Sequence, residues 1–139
     1  MKNKFIGDLK ISWIDTIVII ELPPEEYYSG IWGQLLDLVR DNYLRGSTDI
    51  VIDFSEVTSL GDMGLETHIL REEYQKNGGR NVYHFCMPQF MKIPYDIMLQ
   101  RHDVKKIREF ESLEDAISHI KNLGKSKSQF KKENKTRTN

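Results

Sequence analysis

The sequence has one cysteine, Cys86, and only four prolines among its 139 residues. A lone thiol excludes an internal disulfide framework and suits a reducing compartment. Long apolar runs are also missing. Stretches such as Ile17–Ile20 fall far short of the ~20 residues that a membrane-spanning helix needs. The charged start, Met1-Lys2-Asn3-Lys4-Phe5, is followed by no apolar signal core. The expectation is a cytoplasmic chain without membrane insertion. Neither charge sign dominates: 20 Lys and Arg face 21 Asp and Glu, for a formal net charge of −1. Gly-x-Gly-x-x-Gly, the P-loop pattern and Gly-x-Ser-x-Gly are all absent. That removes the usual dinucleotide and phosphate cradles and the nucleophile elbow.

What is present is enough for one domain. Hydrophobic residues make up 39% of the chain and charged ones 29%. A globule of this length buries roughly 68–70% of its unfolded surface without a metal or disulfide staple. The charge is unevenly placed. Residues 125–139 carry Lys125, Lys127, Lys131, Lys132, Lys135 and Arg137 against Glu133, a net of +5, which leaves the body at −6. A basic, Ser/Asn/Thr-rich segment with one aromatic, Phe130, cannot bury enough surface to order itself. The expected organisation is a folded domain over 1–123 and a flexible basic tail over 124–139. The acidic body argues against specific nucleic-acid binding by the domain.

Periodicity gives a coarse element order. Residues 4–13 alternate loosely and Thr16–Leu22 is β-branched, which predicts two strands joined near Ile14-Asp15. Pro23-Pro24 ends the second. Apolar positions from Tyr28 to Tyr43 recur at helical spacing, with Arg45-Gly46 as a stop signal. Asp49–Phe54 is short and apolar, as a strand buried on both faces would be. A helix predicted from Asp62 stops at Asn77-Gly78-Gly79. Asn81–Met87 reads as a strand, and the segment from Pro88 as helical but interrupted by Pro94. Lys105–Phe110 alternates as a short edge strand, and Ser112-Leu113-Glu114-Asp115 begins a capped helix. The order β-β-α-β-α-β-α-β-α predicts an α/β domain with a four- to five-stranded mixed sheet and about four helices.

No constellation points to catalysis. None of His68, His84, His102 and His119 pairs with another ligand at zinc spacing. His84 and Cys86, two apart on one predicted strand, face the same way but supply only half a site, so neither a metal nor a cofactor is expected. Asp53 ends the central strand, where a receiver domain carries its phospho-acceptor. The acidic pair needed for magnesium is missing, so Asp53 reads as a strand-end residue bonding to loop amides. With no activated nucleophile either, the chain is not read as an enzyme. Asp62 fits a helix N-cap, with Gly61 giving backbone freedom before it and Gly64 allowing close approach in the first turn.

Across this stretch the sequence resembles the STAS domain of bacterial anti-sigma factor antagonists. Val51-Ile52-Asp53-Phe54-Ser55 with Val57-Thr58 matches the strand-loop half of the family pattern, and Gly64-Leu65 matches the helix start. Gly78-Gly79, Pro88 and Phe110–Ala116 continue the resemblance in order, over residues 4–123. It implies a regulatory module that docks on an anti-sigma factor or a histidine-kinase-like ATPase in partner switching, controlling transcription. The family's phosphorylated serine falls at Asp62, so the switch lacks its hydroxyl. Three readings stand: Asp62 imitates the phosphorylated state, meets an adapted partner, or caps a helix while Thr58 or Ser59 serves as a displaced phosphosite. The implied partner-binding residues are Ser55, Thr58, Ser59, Gly61, Asp62, Met63 and Glu66. Alternatives are a scaffold or accessory STAS subunit in a signalling or lipid-transport assembly, and a nucleotide-binding STAS module. A weak homodimer stays open.

Overall fold

In a computed structural model, the structure describes residues 3–23, 29–58 and 66–123. The segment predicted as one strand over 4–13 is a hairpin of β1 (Asn3–Ile6) and β2 (Leu9–Ile14). Gly7 turns the chain at φ +58°, a conformation open to glycine and missed in the alternation of its neighbours. The turn is held down by α1 (Ser29–Arg40): Asp8 N–H donates to Gln34 Oε1 at 3.0 Å, and Gln34 Nε2 donates to Asp8 Oδ2 at 3.0 Å. β3 (Ile17–Glu21) pairs antiparallel with β2.

From β3 onward the sheet is parallel. β4 (Asp49–Asp53), β5 (Asn81–Phe85) and β6 (Glu109–Phe110) follow, giving one mixed six-stranded sheet in the order β1-β2-β3-β4-β5-β6. The sheet has one strand more than the upper bound read from the sequence, because β1 and β2 separate at Gly7. The crossovers are α1, α2 (Glu66–Lys76) and α3 (Gln89–His102), and α4 covers 113–123. The mixed α/β class and the alternation of elements agree with the sequence reading.

Strand alternation sorts the core into two layers. Ile50 and Ile52 of β4 face α1, α2 and α3 with Ile31, Leu35, Leu70 and Met91. Val51 faces the opposite side, with Ile17, Ile19, Tyr83 and the α4 residues Ala116 and Ile120. Each fully buried Leu or Ile contributes about 1.5–3 kcal/mol, which explains why β4 carries apolar residues on both faces. Ser112 Oγ accepts from Asp115 N–H at 3.1 Å, so the serine-capped helix start is formed.

Several boundaries shift, among them the strand expected over Asn81–Met87, which ends at Phe85. The first helix ends at Arg40, and residues 41–46 form turns with Asn42 at φ +62°, so Tyr43 is exposed instead of facing the core. Pro94 does not interrupt α3, which runs on to Asp103 in the left-handed conformation. The acceptor a proline leaves without its amide belongs to the residue four back, here Phe90 on the exposed side of the helix. Strand pairing over 105–110 is limited to Glu109–Phe110. The predicted helix start at Asp62 and the whole 124–139 tail lie outside the described residues.

Candidate functional site

Parallel strands end together, so the loops after β4 and β5 leave the same sheet edge: Asp53 is in register with Phe85. In α/β sheets that edge is the usual binding side. The loop after β4 is built by alternating anchors. Phe54 is fully buried and its N–H donates to Phe85 O at 3.0 Å, while Val57, 5% exposed, donates to Phe54 O at 3.0 Å. Between and after these anchors Ser55, Glu56 and Thr58 face solvent. Asp53 behaves as its sequence position suggested: its Oδ1 accepts from Ser55 N–H at 2.8 Å, an Asx turn that starts the loop.

Of the residues implied as partner-binding, the structure therefore places Ser55 and Thr58 together on an exposed loop at the strand ends. Glu66 is the first residue of α2. Ser59, Gly61, Asp62 and Met63 lie outside the described residues, and with them the substituted phospho-switch position.

Beneath the loop sits a group whose role the sequence did not reveal. His84 is 1% exposed, and its Nε2 has no hydrogen-bond partner among the described residues. Phe54 packs edge-on against it at 4.9 Å, and Tyr95 of α3 at 5.6 Å. Tyr95 Oη in turn accepts from Ile107 N–H at 3.1 Å. Burial, helped by the charges of Arg71 and Lys106, pushes the His84 pKa down to about 3. The ring is thus a neutral wedge joining the loop, α3 and the edge segment. Cys86, by contrast, lies past the strand end at φ +57° and is exposed. The shared facing expected of His84 and Cys86 does not hold, because the backbone turns between them. Among the described residues no three His, Cys, Asp or Glu side chains form a metal-ligand group.

The next turn of the same edge is apolar. Phe90, Ile93 and Ile97 of α3 are 45%, 67% and 46% exposed, a stripe at helical spacing beyond the loop after β5. The hydroxyl-bearing loop and this stripe offer exposed surface at one end of the sheet.

Comparison with solved structures places the fold among known shapes. The chain is similar to SpoIIAA, an anti-sigma factor antagonist, in its unphosphorylated form, with a TM-score of 0.56 and 13% identity over 81% of this chain and 97% of that one. The fold is that of the anti-sigma factor antagonists. An anti-sigma factor antagonist from Mycobacterium paratuberculosis matches at a TM-score of 0.52 and 17% identity, over 81% of this chain and 92% of its own. The murine anion transporter Slc26a9 matches at 0.58 and 18% identity, covering 80% of this chain but 18% of the transporter. At these identities the likeness is one of fold. No family model and no curated protein matches the sequence. Among the described residues no helix is long and apolar enough to cross a membrane.

Proposed function

We propose that the chain is a non-enzymatic regulatory module of the antagonist type, which docks on an anti-sigma factor or a histidine-kinase-like ATPase. The observation that carries this reading is the likeness to anti-sigma factor antagonists over 97% and 92% of their lengths. The docking face is the loop after β4 with Ser55 and Thr58, continued by Ser59, Gly61, Asp62, Met63 and Glu66 at the approach to α2. Met63 suits a contact residue because its side chain adapts to a partner surface.

Asp62 stands where the resemblance puts a phosphorylated serine, so docking here is not released by a phosphate at that position. A phosphate brings about −1.5 to −2 charges, whereas a carboxylate brings −1 permanently. An adapted partner with a cation facing Asp62 gives docking without the usual serine switch. Capture of a kinase-like ATPase on the tagged chain, unchanged by ATP, is the expected result. Asp62→Arg abolishes capture and leaves the thermal midpoint nearly unchanged. Equal capture by both forms removes Asp62 from the site.

A second reading has one observation behind it: the similarity to a segment of a transporter. There the module is an accessory STAS unit of a larger assembly, and the captured partner is a transport protein in stoichiometric complex, with no kinase recovered.

A further inference from the structure

Away from the loop face, α2, the first half of β5, the 105–108 segment and α4 enclose an open groove of about 560 Å³. Its volume falls in the range of small-molecule sites. Four of its lining residues carry permanent positive charge: Arg71, Lys105, Lys106 and Arg108. Glu72 is the single carboxylate on the wall, and His68 Nε2 is 3.0 Å from its Oε1. This excess of cations stands on a body whose net charge is −6, the reverse of what a random sample of that surface would give.

The two arginines are held rather than merely exposed. Arg71 Nη2 donates to Lys105 O at 3.0 Å and to His68 Nδ1 at 3.1 Å. A guanidinium only donates, so Nδ1 accepts, and the ring's proton sits on Nε2 facing Glu72. These two contacts use both Nη2 hydrogens, so neither two-nitrogen edge of the guanidinium stays open, while Nη1 and Nε, whose hydrogens point to opposite sides, have no acceptor among the described residues. Arg108 lies over the Phe110 ring, 5.0 Å from guanidinium carbon to centroid. Neither Arg71, Lys105 nor Arg108 has a carboxylate within ion-pair distance among the described residues, and Lys106 reaches Asp96 only at 3.7 Å on the exposed surface.

The floor is aromatic and neutral. Tyr83 is 2% exposed, and His119 stacks edge-on to it at 5.7 Å. Burial and the nearby Arg108 hold the His119 pKa below its ordinary value, so the four cations set the charge near pH 7.

We propose that this groove binds a small phosphate-bearing ligand, with Arg108 as a bidentate donor to its oxygens, Arg71 donating singly through Nη1, and Lys105 and Lys106 adding charge. The planar fork of Arg108, held over the Phe110 ring, matches two oxygens of a tetrahedral oxyanion in geometry. A long polyanion such as nucleic acid would lie against the acidic body, whereas a small ligand meets only the local excess. Charges beyond about 8 Å are screened at physiological ionic strength.

The test is an amide NMR titration of the full chain with inorganic pyrophosphate, repeated with phenyl phosphate and with a short polyglutamate peptide. Saturable shifts confined to Arg71, Asn81, Tyr83, Lys105–Arg108 and His119 are expected with pyrophosphate. Stronger binding of phenyl phosphate would assign the phosphate to an aromatic ester, and stronger binding of pyrophosphate to a polyphosphate. Arg108→Ala weakens binding by about tenfold or more, and Arg71→Ala, which removes a donor and a charge from the wall, weakens it similarly. These two variants act independently, so misfolding of one leaves the other decisive. The proposal is overturned if shifts fail to saturate, if they spread to Lys125–Arg137, if neither variant matters, or if polyglutamate binds as tightly as the phosphates.

Discussion

Removing Arg80 should destabilise the fold far more than removing any other exposed cation. Asp49, the first residue of β4, is fully buried, and Arg80 reaches it with Nη2 at 2.6 Å and Nε at 3.2 Å. The same guanidinium approaches Ile120 O of α4 at 3.5 Å, and the Arg80 amide donates to Thr48 O at 2.7 Å. One side chain therefore ties together β4, the entry to β5 and the helix on the opposite layer. Breaking a buried pair by deleting one partner costs about 3–5 kcal/mol, because the remaining charge is left uncompensated. Arg80 itself is 30% exposed, so water reaches Asp49 once the guanidinium is gone, and Arg80→Ala should cost about 3 kcal/mol. For a chain of this size that is a drop of about 10 °C in Tm. Urea denaturation should show a lower midpoint at unchanged slope. The paired change Asp49→Leu with Arg80→Met should regain most of the loss, since two matched apolar groups replace the pair. A cost below about 1 kcal/mol for Arg80→Ala, or strictly additive losses in the double variant, would refute the assignment of an uncompensated buried charge. The pair lies at the opposite end of the parallel strands from the Ser55–Thr58 loop, so partner capture should persist until the protein unfolds.

His84 predicts an acid limb. Its folded pKa of about 3 lies below the ordinary 6.5, so the unfolded chain binds the extra proton. Stability is then complete above about pH 6.5 and falls as pH drops toward 3. His84→Leu should flatten this part of a denaturation-midpoint-versus-pH curve, and an unaltered curve would exclude His84 as its source. Gly79 packs under Tyr74, whose ring carbons would lie 2.3 Å from an added Cβ. The Tyr74 hydroxyl is 2.6 Å from Ser47 Oγ and cannot swing aside freely, so Gly79→Ala should destabilise by about 1–3 kcal/mol in calorimetry. A neutral result would mean that this turn gives way.

Much of the fold was legible because it depends on short-range spacing. The β-branched run Ile17–Ile20 and the strand Asp49–Asp53 formed where alternation and apolar content put them, and α4 began at the serine cap. The hairpin at Gly7 was missed because one turn residue inside an alternating stretch leaves the period unchanged on both sides. Pro94 misled because its penalty depends on whether the orphaned carbonyl is buried, which is a tertiary property. Lys105–Phe110 alternates correctly, with Ile107 buried, yet pairing needed an edge of β5 and reached only two residues.

The candidate loop was legible in type but not in shape. Asp53 and Ser55 announced an Asx turn two residues apart, whereas the burial of Phe54 against His84 needed three elements to meet. The cationic groove left only a faint trace, the run Lys105-Lys106 with Arg108. Its partner Arg71 comes from a helix 34 positions earlier in the chain.

The sequence by itself determined the alternation of strands and helices, the doubly buried central strand, the acidic body with its basic end, and the lack of a hydroxyl at position 62. Those properties follow from side-chain period and charge, which need no knowledge of what folds against what. Only the tertiary structure decided that His84 is a neutral buried wedge, that Asp49 is paired with Arg80, and that four cations surround one groove. Each of these depends on desolvation or on contacts between residues far apart in the chain, and such energies exist only once the layers have closed.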